Sequence, residues 1–355
     1  MSKLLGYQLS QTGNAPQLNN AGNPFVDAFH TLHSHQEERE LIHWFATRVL
    51  NIEEHTWGYC SSGSTESIMC ALWIARKRFP KNTPLLASSQ CHYCVPKICD
   101  MLCIPFIPVD VLEDGSMDMK HLLTHLIKQE YAIVVLTLGT TIKNADDQIP
   151  WFHETLKIQQ GWSQAASCTL HIHYDAAFGG AVYPFLKPKW LGYTFDTFNT
   201  SLHKFWGSAN PCSLFLMDDK IRKEVQGRGY FGKSMVELPH QDFTISCSRN
   251  GNTVKEMHRL FINETFVPQH MINLHHCITV RNYLIQQLKK RNITHNVSNH
   301  ISLSVEIFGL SNRVIPHMKQ YGMNIRTRPN THTFDTHVYI CTHVTTELID
   351  EFISA

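Results

Sequence analysis

TLHIHYDAAFGG (residues 169–180) reads as a buried strand that carries a carboxylate to the edge of a sheet. Thr169 to Tyr174 has the length and composition of a strand, and small residues close it after Asp175. Upstream, Ala132 to Leu138 is a continuous apolar run of strand length. A run apolar on both faces fits a sheet covered on both sides. Outward from these two, helical spacing is read at Gln36–Leu50, Ser64–Phe79, Tyr93–Leu102, His121–Gln129 and Trp151–Gln159. Further strands are read at Leu85–Ser88, Ile104–Val109, Phe195–Thr200 and Ser213–Met217. Strands alternating with helices predict an α/β layered domain with a largely parallel sheet.

The flanks read differently. Residues 1–22 are rich in Asn, Gln and Gly and predict a flexible or extended arm. Gly and Pro cluster in GRGYFGKSMVELP (residues 227–239), which predicts a mobile loop. A long helix is read at Ile272–Arg291, and the tail from Ile301 to Ala355 predicts a small C-terminal domain. The expected division is an arm at 1–35, a large domain at 36–265 and a small domain at 266–355.

The chain has 355 residues, 43% of them apolar, enough for a sizeable core. Lys plus Arg is 31 and Asp plus Glu is 30, for a net charge of +1. Nothing in that balance favours nucleic acid or an anionic membrane. The N-terminus lacks a signal-peptide pattern and no apolar run reaches the ~18 residues of a membrane span. The eleven cysteines sit mostly in apolar periodic segments, as with Cys70, Cys99 and Cys341. They predict reduced core thiols and a cytoplasmic location.

Four segments can carry chemistry. Ser61-Ser62-Gly63-Ser64-Thr65-Glu66 opens a helix, and such an opening binds phosphate or is an ordinary N-cap. Asp175 stands near a strand's end, followed by two alanines and two glycines that would leave room for a flat ligand. It could pair with a protonated ring nitrogen or cap the next segment. A metal site on His171, His173 and Asp175 is the weaker alternative, since the three share one strand face. Lys204, between His203 and aromatic residues, is either a partly desolvated amine or a surface lysine. Cys91-His92-Tyr93-Cys94 invites zinc, but no second tight pair completes a tetrahedral set, so His92 reads better as a stacking or proton-transferring group.

Seven motifs occur in one order: HSHQEERELIHWFA, WGYCSSGSTES, CHYCVPK, LGTTIKNADD, HYDAAFGG, SLHKFWGS and TISCSRNGN. Together they resemble the group II pyridoxal 5'-phosphate (PLP) dependent amino-acid decarboxylases, from about Asn23 to the C-terminus. Bacterial histidine decarboxylases and plant serine decarboxylases look most similar. The resemblance implies PLP-dependent transferase-like fold type I, with a mostly parallel seven-stranded sheet and a small C-terminal α+β domain. It implies a Schiff base between Lys204 and PLP, and Asp175 on the pyridinium nitrogen. His92 and Ala177 would lie on opposite ring faces, and Thr141 near the 3′ oxygen. Ser64, Thr65, Ser201 and His203 would hold the phosphate. The implied reaction is decarboxylation of a small polar amino acid, histidine before serine, by a homodimer in which Thr244 to Gly251 reaches the partner's site.

Some positions depart from the family pattern. Relatives usually carry a longer N-terminal region, and here only residues 1–22 precede the part that resembles them, which starts at about Asn23. Relatives often present a loop tyrosine as proton donor, where Glu237 falls here, with Tyr230 seven residues earlier. Cys247 replaces a glycine, and Ser213 stands where glycine is common. These departures leave open a PLP-binding protein of the same fold with lost or altered activity, such as transamination.

Overall fold

The computed structural model describes residues 17–28, 31–52 with 30, 56–162, 168–187, 193–226, 243–329 and 331–354. The expected loop at 227–239, with Tyr230 and Glu237, lies outside the described residues, as do residues 1–16. The strands of the first sheet are β1 (Thr56–Ser61), β2 (Leu85–Ser88), β3 (Phe106–Val109), β4 (Tyr131–Thr137), β5 (Thr169–Asp175), β6 (Thr197–Ser201) and β7 (Ser213–Asp218). The helices are α1 (His35–Trp44), α2 (Ser64–Arg78), α3 (Cys94–Leu102), α4 (Met119–Leu126), α5 (Ile149–Trp162), α6 (Tyr183–Leu186), α7 (Asp219–Val225), α8 (Gly251–Phe261) and α9 (Phe266–Lys290).

The sheet has seven strands in the order β1-β7-β6-β5-β4-β2-β3, as expected for fold type I. The five strands β3, β2, β4, β5 and β6 run parallel, and β7 is antiparallel to both β6 and β1. Ala132 to Leu136 are fully buried, and each such aliphatic side chain contributes about 1.5–3 kcal/mol over an exposed one. Register sets the site: Thr137 pairs with Asp175, and Asp175 with Asn199. Three strands therefore end together at the carboxyl edge, where open α/β sheets bind ligands.

Two elements differ from the sequence expectation. Strand β1 is not among the strands read from the sequence. It is buried on both faces, and Gly58 breaks its apolar run, so neither alternation nor continuity marks it. Helix α9 starts at Phe266, six residues before Ile272. The first helix turns π-helical at Phe45–Val49, where Leu50 N donates to Phe45 O at 3.1 Å. The described part of the arm is tied down: Asn20 is buried, its N–H donates to Arg249 O at 3.0 Å, and Gly251 N donates to Leu18 O at 2.9 Å.

The glycines of HYDAAFGG serve packing and do not open room for a ligand. A Cβ on Gly179 would sit 2.3 Å from the Leu138 carbonyl oxygen, and one on Gly180 would sit 2.5 Å from Thr200 Oγ1. Gly179→Ala is expected to cost about 1–3 kcal/mol, because the obstacle is backbone that cannot swing aside. A thermal unfolding scan checks this, and an unchanged midpoint would refute it.

A second sheet follows α9, built from β8 (His295–Asn296), β9 (Ser304–Ser311), β10 (Asn324–Thr327) and β11 (Thr333–Tyr339) in the order β10-β11-β9-β8, all antiparallel. Helix α10 (Ile315–Gln320) packs against β10, and helix α11 (Thr346–Ser354) packs against α9. One apolar core runs without a break from Leu41 to Phe352 and joins both sheets. The second sheet also grips the loop after β4. Tyr339 Oη donates to Thr140 O at 3.1 Å and Thr141 O at 2.9 Å, and Ser304 Oγ donates to Ile142 O at 2.7 Å. No helix among the described residues is long and apolar enough to cross a membrane.

Candidate active site

A cavity of about 600 Å³ opens at the carboxyl edge of the first sheet. All nine residues singled out from the sequence line it. Ser64 and Thr65 come from the start of α2, His92 from the turn before α3, and Thr141 from the loop after β4. Asp175 and Ala177 come from the end of β5, and Ser201, His203 and Lys204 from the end of β6. Residues more than 130 positions apart in sequence thus face one space.

The floor is a hydroxyl cluster. Ser64 Oγ lies 2.6 Å from Ser201 Oγ and 3.1 Å from Ser213 Oγ. Ser213 Oγ donates to Thr200 O at 2.8 Å and accepts from Ser67 Oγ at 3.2 Å. Ser213 thus extends the cluster inward with a hydroxyl that a glycine would lack. Gly63 leads into α2 with φ 152°, a conformation that favours glycine, and the nearest atom to a Cβ there would be His203 Cε1 at 4.0 Å.

Asp175 is 3% exposed. Its Oδ1 accepts from Ala177 N at 3.2 Å and from Asn199 Nδ2 at 3.4 Å. His92 Nδ1 accepts from Cys94 N at 3.3 Å, so the neutral ring carries its proton on Nε2. Burial lowers the His92 pKa below 6.5; nearby Asp175 opposes this and Lys204 adds to it. The imidazole is therefore neutral at pH 7. His203 Nδ1 is anchored to the Cys212 backbone, 3.1 Å from its N and 2.8 Å from its O. Burial pushes the Cys91 and Cys94 thiols up to about 12, so they are protonated at neutral pH.

Of the two local readings of Lys204, the exposed one holds: it sits on the turn after β6 and faces the open cavity. The expected reach of Thr244 to Gly251 looks different in the single chain. Ile245 and Ser246 line the chain's own cavity. Glu66 fixes them there: its carboxylate accepts from Ser246 N at 3.3 Å and Ser246 Oγ at 2.9 Å, and from Ser62 N at 3.0 Å.

Residues 1–311 match the pyridoxal-dependent decarboxylase conserved domain, starting ahead of the quoted motifs. The histidine decarboxylase of Vibrio anguillarum is 30% identical over 289 residues, covering 77% of this chain and 69% of the relative. The chain belongs to the pyridoxal-dependent decarboxylase family. Serine decarboxylase 3 of Oryza sativa subsp. japonica is 31% identical over 244 residues, covering 66% of this chain and 52% of the relative. L-methionine decarboxylase from Streptomyces sp. 590 has the same fold, with a TM-score of 0.77 at 17% identity, covering 95% of this chain and 85% of that one. This pyridoxal-dependent decarboxylase is a carboxy-lyase of amino acids, and its cofactor is PLP.

Sequence reading of this decarboxylase missed Asn199, Glu66 and Ser67 as parts of the site. A signal for Asn199 was present. Thr197, Asn199 and Ser201 alternate in β6 on one face of a strand in mid-sheet, where apolar residues are the rule. The weaker metal reading finds other partners instead. His171 Nε2 and His173 Nδ1 both engage Thr197 Oγ1, at 3.1 and 3.0 Å.

Proposed function

We propose that this cavity holds PLP and that the chain decarboxylates a small polar L-amino acid, histidine first and serine second. The convergence of the nine residues on one cavity carries the reading. The donor set fits the cofactor. Hydroxyls of Ser64 at the start of α2 and of Ser201 at the end of β6, 2.6 Å apart, suit a phosphate, and a buried carboxylate with one oxygen engaged suits a ring nitrogen. Ala177 leaves a flat wall. Histidine and serine decarboxylases are both among the relatives at similar identity, 30% and 31%, and the histidine enzyme matches more of this chain, 77% against 66%.

Lys204 supplies the amine that holds the cofactor covalently. Ser64, Thr65, Ser201 and His203 bind the phosphate. Asp175 holds a proton on the ring nitrogen, Thr141 bounds the site near the 3′ oxygen, and Ala177 and His92 take the two ring faces. PLP, when bound, supplies the sink for the electron pair left as CO₂ departs. His92, in its imidazolium form, would then deliver a proton to the substrate's α-carbon and return to the neutral ring.

Release of CO₂ from the purified protein with PLP, across a panel of L-amino acids, tests the function. Release from histidine or serine supports it. A normal cofactor spectrum without CO₂ from any amino acid would favour an inert or transaminating protein. His92→Phe is expected to lower kcat by about 10²–10⁴-fold while PLP stays bound. If the His92 imidazolium is the donor, activity falls as pH rises through its pKa, and that limb lies below pH 6.5, because burial disfavours the charged ring. A limb above 6.5 would contradict this.

Two further proposals accompany the reading. Residues 36–265 and 266–355 act as large and small domains, behind an arm at 1–35. The working unit is a homodimer in which Thr244 to Gly251 contributes to both sites, and sedimentation of the purified protein tests it.

A further inference from the structure

A row of buried polar side chains lies behind Asp175 on one face of the sheet. His171, His173 and Asp175 project from β5, and Thr197, Asn199 and Ser201 from β6, none more than 3% exposed. Register pairs His173 with Thr197 and Asp175 with Asn199. A row this polar in the middle of a sheet costs desolvation unless its members satisfy one another.

The hydrogen bonds have one consistent direction. A carboxylate has no proton to give, so the Asn199 amide turns its Nδ2 donors toward Asp175 Oδ1 at 3.4 Å and Ser64 Oγ at 3.0 Å. That turns Asn199 Oδ1 away. Asn199 Oδ1 and His173 Nε2 are both buried and neither has a hydrogen-bond partner in place, while Asn199 raises the His173 pKa as an adjacent acceptor does, so a short approach of the two would satisfy both. Nε2 must then carry the His173 proton, which leaves Nδ1 to accept from Thr197 Oγ1 at 3.0 Å. Thr197 Oγ1 in turn accepts from His171 Nε2 at 3.1 Å. Burial pushes the His173 pKa down to about 4 and that of His171 well below 6.5, so both rings are neutral donors at working pH.

We propose that Asn199, oriented by His173 and Thr197, is a positioning residue that holds Asp175 Oδ1 and ties it to the Ser64 phosphate cradle, leaving Asp175 Oδ2 for the cofactor's ring nitrogen. This rests on the assignment of Asp175 to that nitrogen. Asn199 touches no reacting atom. It couples the two ends of the cofactor site through one amide, so its loss is felt at the ring nitrogen as well as at the phosphate.

The test uses the full chain with ¹⁵N-labelled PLP, read by the ring-nitrogen NMR resonance and by PLP affinity. Asn199→Leu is expected to move the resonance toward the unprotonated position. It is also expected to weaken PLP binding roughly tenfold, the order of one hydrogen bond to a charged group. Thr197→Val is isosteric, touches neither Asp175 nor Ser64, and is expected to move the resonance in the same direction by less. A general loss of packing would lower stability and leave the ring nitrogen alone. A parental resonance and affinity in Asn199→Leu, or a parental resonance in Thr197→Val should Asn199→Leu fail to fold, would overturn the relay. Asp175→Asn separates the two failures. If it shifts the resonance while the relay variants do not, only the relay is wrong. If it too leaves the resonance unchanged, the assignment of Asp175 itself is wrong.

Discussion

Lys204→Ala is expected to abolish covalent attachment of PLP and to lower turnover by about 10³ or more, the scale seen when a group acting within the reacting constellation is removed. The expectation follows from position. Lys204 is on the cavity wall, exposed, on a turn whose flanks are fixed. Ser201 N donates to Ala177 O at 3.0 Å, and Ser208 N donates to Leu202 O at 2.8 Å. Trp206 is buried, with its Nε1 donating to Thr200 Oγ1 at 3.1 Å. The turn therefore holds its shape without the lysine, and the variant should fold. Its remaining contacts, from Ser64, Ser201 and Asp175, should still bind PLP reversibly. Borohydride treatment followed by peptide mass analysis reads the attachment, and CO₂ release reads turnover. A parental rate with PLP attached elsewhere would remove Lys204 from the mechanism.

Fold class was legible because β4 is a continuous apolar run of strand length and further strand-length segments alternate with helical spacing. The site was legible for a different reason. Its residues stand at strand ends and at a helix start, where Gly, Ser and Asp interrupt apolar periodicity, but each of Ser64, Asp175 and Lys204 also has a bland local reading, and the seven collinear motifs decided between them. Residues that act from within a strand do not stand at such breaks. Asn199 is one polar letter in a strand of Thr, Phe, Asn and Ser; its alternation with Thr197 and Ser201 marks a polar face, but its importance comes from register with Asp175, which that alternation does not encode. Gly179 and Gly180 illustrate the converse. They stand beside the carboxylate in sequence, yet their smallness answers the Leu138 carbonyl and Thr200, which arrive from other strands. The local sequence left the exposure of Lys204 open between two readings, since aromatic neighbours in sequence are not walls in space. Trp206 turns into the core and leaves the amine uncovered.

Glu38→Gln is expected to destabilise the fold by about 3–5 kcal/mol, the range for breaking a buried ion pair by removing one partner. Glu38 and Arg249 form a salt bridge with side chains 0% and 1% exposed. Burial works against the Arg249 charge, and Glu38 beside it more than offsets this, leaving the guanidinium above its ordinary pKa. The pair joins four pieces of chain. Glu38 Oε1 accepts from Cys60 N at 2.7 Å in β1, and Oε2 accepts from Asn20 Nδ2 at 2.6 Å in the arm. Arg249 donates to Cys60 O at 2.9 Å and to Gly22 O at 2.6 Å, and stacks 5.1 Å from the centre of the Tyr59 ring. Glutamine keeps the shape but leaves the guanidinium charge buried without a counter-charge. Removing both charges should be milder, so Glu38→Met with Arg249→Met should be more stable than the sum of the single changes predicts. Thermal unfolding of the two single variants and the double variant checks both statements. Unchanged unfolding in Glu38→Gln would mean that the charge has found water or another carboxylate. The consequence reaches the site, because Arg249 anchors the segment whose Ile245 and Ser246 line the cavity. Loss of the ion pair should therefore also weaken PLP binding, whereas a change confined to the arm should not.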